Sequence, residues 1–195
     1  THTSGIGCNS DKSQRMTDED KKSIENTIKF YFEVGLDFDP GTNQRYSGIA
    51  SFDVLEKIIE KITKTDYLQF LQQEIFEPCE MVNTTFVPTE EQWKQIIAMH
   101  NKIDGNNSVA KMKENCIFYD YPCMHYLGGA GLVSTLDDYS KFAKMLLNKG
   151  KTPKKQILSE ETFKLLHTAY IPRSNINEAW GLGVRVIVGV EYKNL

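Results

Sequence analysis

The chain has 195 residues, with 23 Lys plus Arg against 26 Asp plus Glu and a net charge of -3 at neutral pH. It is long enough for one domain with a sizeable core, and the acidic balance (pI near 5.8) excludes a phosphate-tracking nucleic-acid surface, which needs clustered positive charge. No apolar run reaches the ~18 residues that span a bilayer, so no membrane segment is expected.

Thr17 and Asp20 have capping-box spacing, and Ile24, Ile28 and Phe32 recur every fourth residue. This predicts a helix from Thr17 that Gly35 closes. Asp39-Pro40-Gly41-Thr42 is a turn, because proline fixes φ and glycine is free to take positive φ. Leu55, Ile58, Ile59 and Ile62 then occupy i, i+3, i+4 and i+7, which predicts an amphipathic helix with Glu56, Lys57, Glu60 and Lys61 facing away. A further helix starts at Asp66 and carries Leu68, Leu71 and Ile75 inward until Pro78 stops it.

Thr89 with Gln92 marks another start, with Trp93, Ile96 and Ile97 as its apolar face. Residues 101 to 115 are polar, and Asp104-Gly105-Asn106-Asn107 reads as a turn or loop. Thr135 and Asp138 form a third capping pair, before the stripe Tyr139, Phe142, Ala143 and Leu146. The basic run Lys151 to Lys155 reads as a solvated loop. Ser159 caps a short helix bearing Phe163 and Leu166.

Val184-Arg185-Val186-Ile187-Val188 is β-branched and reads as a strand without an obvious partner. A lone strand leaves its ladder groups unpaired, so a sheet is expected from elsewhere. The cysteines, Cys8, Cys79, Cys116 and Cys123, lack paired metal spacing. Cys116 and Cys123 are near enough in sequence to bridge, with buried free thiols as the favoured alternative.

Several segments together carry a resemblance. His2-Thr3-Ser4-Gly5, Phe38 to Thr42 followed by Tyr46-Ser47-Gly48, and the turn Ile75 to Met81 come in that order. Gly128-Gly129-Ala130-Gly131-Leu132-Val133-Ser134-Thr135 with Asp138, then Trp180-Gly181-Leu182-Gly183, complete the set. The chain resembles the middle portion of the penicillin-recognising serine hydrolases: class C β-lactamases, D-alanyl-D-alanine carboxypeptidases and related esterases. The resemblance implies an α+β, mostly helical fold. Residues 1 to 175 would be the helical part of a partial β-lactamase/penicillin-binding-protein transpeptidase-like domain, and 176 to 195 a strand region returning toward a missing antiparallel sheet.

That chemistry uses an S-x-x-K pair, a facing tyrosine element and a K-T-G-like strand. By resemblance Tyr46 is the catalytic tyrosine; His125 and Tyr126, just before the glycine run, are read as substrate-binding residues of the cleft rim, with packing as the equal alternative. Phenols titrate far above neutral pH, so a tyrosine base needs neighbouring cations. Gly48 stands where many relatives carry asparagine and leans the reading toward an esterase-like branch.

Ser108-Val109-Ala110-Lys111 is formally S-x-x-K, but it follows Tyr46 rather than preceding it. Lys151-Thr152-Pro153 lacks the glycine of K-T-G. The S-x-x-K and K-T-G-like parts are therefore expected outside this chain, which alone is expected to be inactive. The histidines, His2, His100, His125 and His167, show no metal spacing, so no metal and no cofactor is expected. The expected substrate of the parent protein is a small-molecule ester, amide or lactam; the alternative is a non-catalytic binding or structural module. Self-association through an exposed apolar face is also expected.

Overall fold

The computed structural model describes residues 1–7, 15–97, 100–103, 106–109, 126–172 and 178–188, with residues 100–103, 106–109 and 172 described by backbone alone. Helix α1 spans Ile24–Val34 and is capped by Ser23, whose hydroxyl accepts the Asn26 N–H. Thr17 and Asp20 do form a reciprocal pair, but in a turn before this helix. Gly35 ends α1 at φ 70, its N–H donating to the Phe32 carbonyl. Helix α2 spans Ala50–Thr63. Helix α3, Tyr67–Leu71, is capped by Asp66 and runs into a wider i→i+5 turn, Gln72–Phe76, and a last turn α4, Glu77–Cys79.

Pro78 therefore does not stop the helix where the sequence suggests. In a regular α-helix its ring would clash with the carbonyl four residues back; the wider turn makes room for it. Termination falls to Glu80, in the left-handed region at φ 60. Helices α5 (Glu90–Gln95, with the Thr89–Gln92 capping box), α6 (Leu136–Leu147) and α7 (Glu160–Leu166) follow, the last two capped by Thr135 and Ser159. Because α5 ends at Gln95, Ile97 lies beyond the helix and is exposed.

Strands β1, His100–Ile103, and β2, Asn106–Val109, form an antiparallel hairpin in the segment read as loop, with His100 opposite Val109. The turn residues Asp104 and Gly105 lie outside the described residues. Strands β3 (Ile171–Pro172), β4 (Glu178–Trp180) and β5 (Arg185–Ile187) form a three-stranded antiparallel sheet in the order β3-β4-β5. The strand read as solitary therefore has a partner: Ala179 is opposite Val186.

The core joins Phe76, Cys79, Met81 and Met145, with Leu68, Leu71, Ile75, Phe142, Leu146 and Ile157 packed on it. Cys79 is a buried free thiol, while Cys8, Cys116 and Cys123 lie outside the described residues. On α6 the inward residues are Met145 and Asp138, whereas Tyr139 and Ala143 of the expected stripe are exposed. The lysine loop is also tied down: Lys154 donates to the Glu77 carbonyl at 3.0 Å, and Lys155 pairs with Glu74 at 2.6 Å.

Helix α2 departs furthest from its pattern. Its buried positions include Asp53 and Glu56, while Leu55, Ile58 and Ile62 are exposed. Lys57 reaches both Glu25 of α1 and Glu60. A shallow depression of about 550 Å³ between these helices includes Ile28 and Phe32 in its lining. The hydrophobic stripe thus faces out, and a polar interior lies beneath the helix.

Asp138 shows why the S-T-x-x-D segment matters structurally. Fully buried, it accepts the Asn83 N–H at 2.7 Å, the Thr84 hydroxyl at 3.0 Å and Lys141 Nζ at 3.1 Å. Burial alone would raise its carboxyl, but these bonds outweigh it and hold the group below 3.8. The stabilisation is present above that pH and lost as pH falls through the lowered value. Asp138→Asn is expected to lower stability by on the order of 2–3 kcal/mol at neutral pH. Thermal melting checks it; an unchanged melt would remove Asp138 from the scaffold.

Candidate active site

Residues 1–7 run beside the Phe38–Tyr46 loop. Asp37 N–H donates to the Gly5 carbonyl at 2.8 Å, Gly41 N–H to Thr3 at 2.8 Å and Arg45 N–H to His2 at 3.1 Å. A chain of hydroxyls then ties this segment to α2, with Ser4 Oγ 2.7 Å from Ser51 Oγ and Ser51 Oγ 2.8 Å from the fully buried Ser47 Oγ. Two segments distant in sequence become one scaffold around Tyr46.

The Tyr46 ring centre lies 4.8 Å from that of His2, and the His2 ring stands nearly perpendicular to Trp180 on β4 with their centres 4.8 Å apart. Phe52 of α2 stands edge-on to His2 at 6.3 Å. The H-T-S-G, Y-S-G and W-G-L-G segments thus meet at one place, and Tyr46 is 73% exposed there. A Cβ at Gly48 would lie 2.9 Å from Tyr46 Cε1, so glycine lets the phenol ring fold back over its own loop.

The glycine run docks from the other side. A Cβ on Gly128 would sit 2.2 Å from the Phe52 carbonyl oxygen, and one on Gly129 2.3 Å from that of Gly48. Backbone contact this close, rather than an unusual φ, is what requires glycine. Asp53 Oδ1 accepts the Gly128 N–H at 3.0 Å, and its other oxygen accepts the Tyr31 hydroxyl at 3.1 Å. Burial pushes the Asp53 carboxyl up to about 6 despite these bonds. Gly129→Ala is expected to cost about 3 kcal/mol by overpacking and to displace the Tyr46 loop. Melting together with the Tyr46 ring resonances reads both effects, and a normal melt with unmoved resonances would refute the docking argument.

Of the residues proposed from sequence, Tyr46 is at this junction. Tyr126 is half-buried and stacks on Phe86 at 5.4 Å, which stacks on Tyr67 at 5.9 Å. His125 lies outside the described residues. Ser108 falls on strand β2, and Lys111 lies outside the described residues. Asp53 and His2 were not anticipated beside this junction; capping and periodicity carry no signal for groups placed by long-range docking. Among the described residues no group of three His, Cys, Asp or Glu could hold a metal ion, and no helix is long and apolar enough to cross a membrane.

The Beta-lactamase family model matches residues 1–187. The chain belongs to that family. An N-acetylmuramyl-L-alanine amidase of Bacillus subtilis (strain 168) is 27% identical over 153 residues, covering 72% of this chain and 34% of the relative. A penicillin binding protein from Bacillus halodurans superposes with a TM-score of 0.73 at 15% identity, covering 96% of this chain and 54% of that structure. A D-stereospecific amidohydrolase from Streptomyces sp. gives a TM-score of 0.68 at 20% identity, covering 94% and 54%. The two structures establish the fold: α+β, mostly helical and penicillin-binding-protein-like. The chain spans about a third of the length of the curated family relative and about half of these structures.

Proposed function

We propose that the chain is the helical portion of a larger serine hydrolase domain that transfers an acyl group from an ester, amide or lactam. The observation that carries this reading is the exposed Tyr46 phenol at the meeting point of the His2, Gly128–Gly129 and Trp180 segments. In this reading Tyr46 exchanges a proton with a serine hydroxyl supplied by an S-x-x-K helix outside residues 1–195, and His125 and Tyr126 line the cleft rim. A further strand supplies part of the oxyanion hole. The amidase and amidohydrolase among its relatives support hydrolysis of acyl compounds.

The test is to label the polypeptide encoded by the complete reading frame with a fluorophosphonate or penicillin probe. Labelling abolished by replacing the serine of an upstream S-x-x-K supports the reading; absence of labelling favours a non-catalytic module. The 195-residue chain alone is expected to turn over neither nitrocefin nor p-nitrophenyl esters above buffer. Labelling of this chain that Ser108→Ala abolishes would overturn the assignment of the nucleophile.

The outward apolar face of α1 and α2, with Phe32 and Ile62 exposed, supports self-association of this chain. Sedimentation velocity is expected to show mass rising with concentration; a monomer throughout would refute it.

A further inference from the structure

We propose that His2 is a positioning residue for Tyr46, its neutral imidazole wedged between Tyr46 and Trp180 while Nδ1 accepts the Ser47 backbone N–H. The catalytic consequence rests on the role proposed for Tyr46 above; the positioning itself does not. Three observations carry it. The His2 ring is 4.8 Å from both Tyr46 and Trp180, so it closes the space into which the phenol could swing. The Ser47 N–H reaches His2 Nδ1 at 3.4 Å, and Ser47 is the next residue after Tyr46, so this bond holds the backbone that carries the phenol. His2 itself sits at φ 60, a left-handed conformation that most side chains avoid, which the Arg45 N–H to His2 carbonyl bond helps retain.

An imidazole that accepts at Nδ1 must carry its proton on Nε2, and a second proton would remove the acceptor. Partial burial, then the charge of the Thr1 amine, favour the neutral ring; they outweigh a backbone hydrogen bond to Ser47 that acts in the opposite sense, and hold the group below its ordinary 6.5. The charged or titratable groups on the elements packed around it include the Thr1 amine, Arg45, Tyr46, the buried Asp53 and Glu56 on α2, and Glu178 and Arg185 on the sheet, with Arg185 lying 5.4 Å over the Trp180 ring. Of these, Asp53, raised to about 6, and Glu56, raised to about 8, titrate in the range scanned, so the reference must keep both. His2→Asn does so: asparagine tolerates positive φ and offers an amide oxygen to the Ser47 N–H but no titration.

The experiment follows the Ser47 amide and Tyr46 ring resonances of this chain from pH 8 to pH 4.5 by NMR. Both are expected to move with the His2 ring signals, with a midpoint below 6.5, and the movement is expected to vanish in His2→Asn. Resonances that ignore the His2 titration, or move identically in His2→Asn, would overturn the proposal without bearing on hydrolysis. In the complete polypeptide, His2→Ala is expected to lower kcat about 10²-fold with little change in KM, as a small misplacement does. His2→Asn should restore most of that loss and abolish the fall of kcat at acid pH. An alanine variant with full kcat, or an asparagine variant as poor as alanine, would remove His2 from the machinery. Absence of turnover in the wild-type polypeptide would instead defeat the hydrolase reading, leaving the NMR result to decide the positioning.

Discussion

Tyr46→Phe lowers kcat roughly 10²–10⁴-fold in the polypeptide that supplies the S-x-x-K helix, the range expected when a general acid–base group is lost. The expectation follows from how the residue is held. Its ring leans on His2 and folds over Gly48, and phenylalanine keeps both contacts. Only the hydroxyl is deleted, on a side chain that is 73% exposed, so melting should move little. Single-turnover acylation separates the chemical step from product release and shows which half-reaction suffers. Full activity with phenylalanine at 46 would reduce the tyrosine to a packing residue.

The second large effect concerns pH. Glu56 is 2% exposed, and its Oε2 has no hydrogen-bond partner. Burial, with Asp53 and Glu60 nearby, pushes its carboxyl from 4.5 up to about 8. The folded chain therefore keeps this proton at neutral pH, while the unfolded chain releases it. Stability contributed by the protonated acid is complete below pH 4.5 and declines as pH rises toward about 8, where it levels off. Asp53, raised to about 6, adds a smaller decline of the same sign. Denaturant unfolding is expected to show the wild-type chain more stable at pH 5 than at pH 8 by about 3 kcal/mol. Glu56→Gln should flatten most of that slope and stabilise the chain at pH 8. A variant with the wild-type pH profile would mean that Glu56 finds a compensating charge.

These two acids also mark the limit of what periodicity could reveal. Thr89, Thr135, Ser159 and Asp66 cap helices as expected, because a cap is decided within four residues. The segments that build the site were equally readable as motifs. Helix α2 was found in place, but its orientation was not. Its apolar stripe argues for Leu55 and Ile62 inward, and the fold turns Asp53 and Glu56 inward because Asp53 must meet the Gly128 N–H. That bond joins residues 75 apart in sequence, and no window of local pattern contains it. The partner of β5 was hidden similarly, since Ala179 stands in a short segment whose pairing only the fold reveals. Pro78 misled for a different reason: the wider turn before it is a backbone accommodation with no composition signature.

The Gly128–Gly129 docking also has a kinetic side. The Ser47–His2 bond closes a separation of 45 residues and the Gly128–Asp53 bond one of 75. By contrast, the helices capped by their own neighbours need no such closure. Loop entropy must be overcome before distant contacts repay it, so the helices can be in place while the tyrosine junction is still open. The same asymmetry governs the native state. Segments held by a few long-range contacts open at lower free energy than the Phe76–Met145 core, so the junction can come apart and re-form while the hydrophobic centre stays shut. In this chain, the junction proposed to carry the chemistry is expected to be the last part to assemble and the first to loosen.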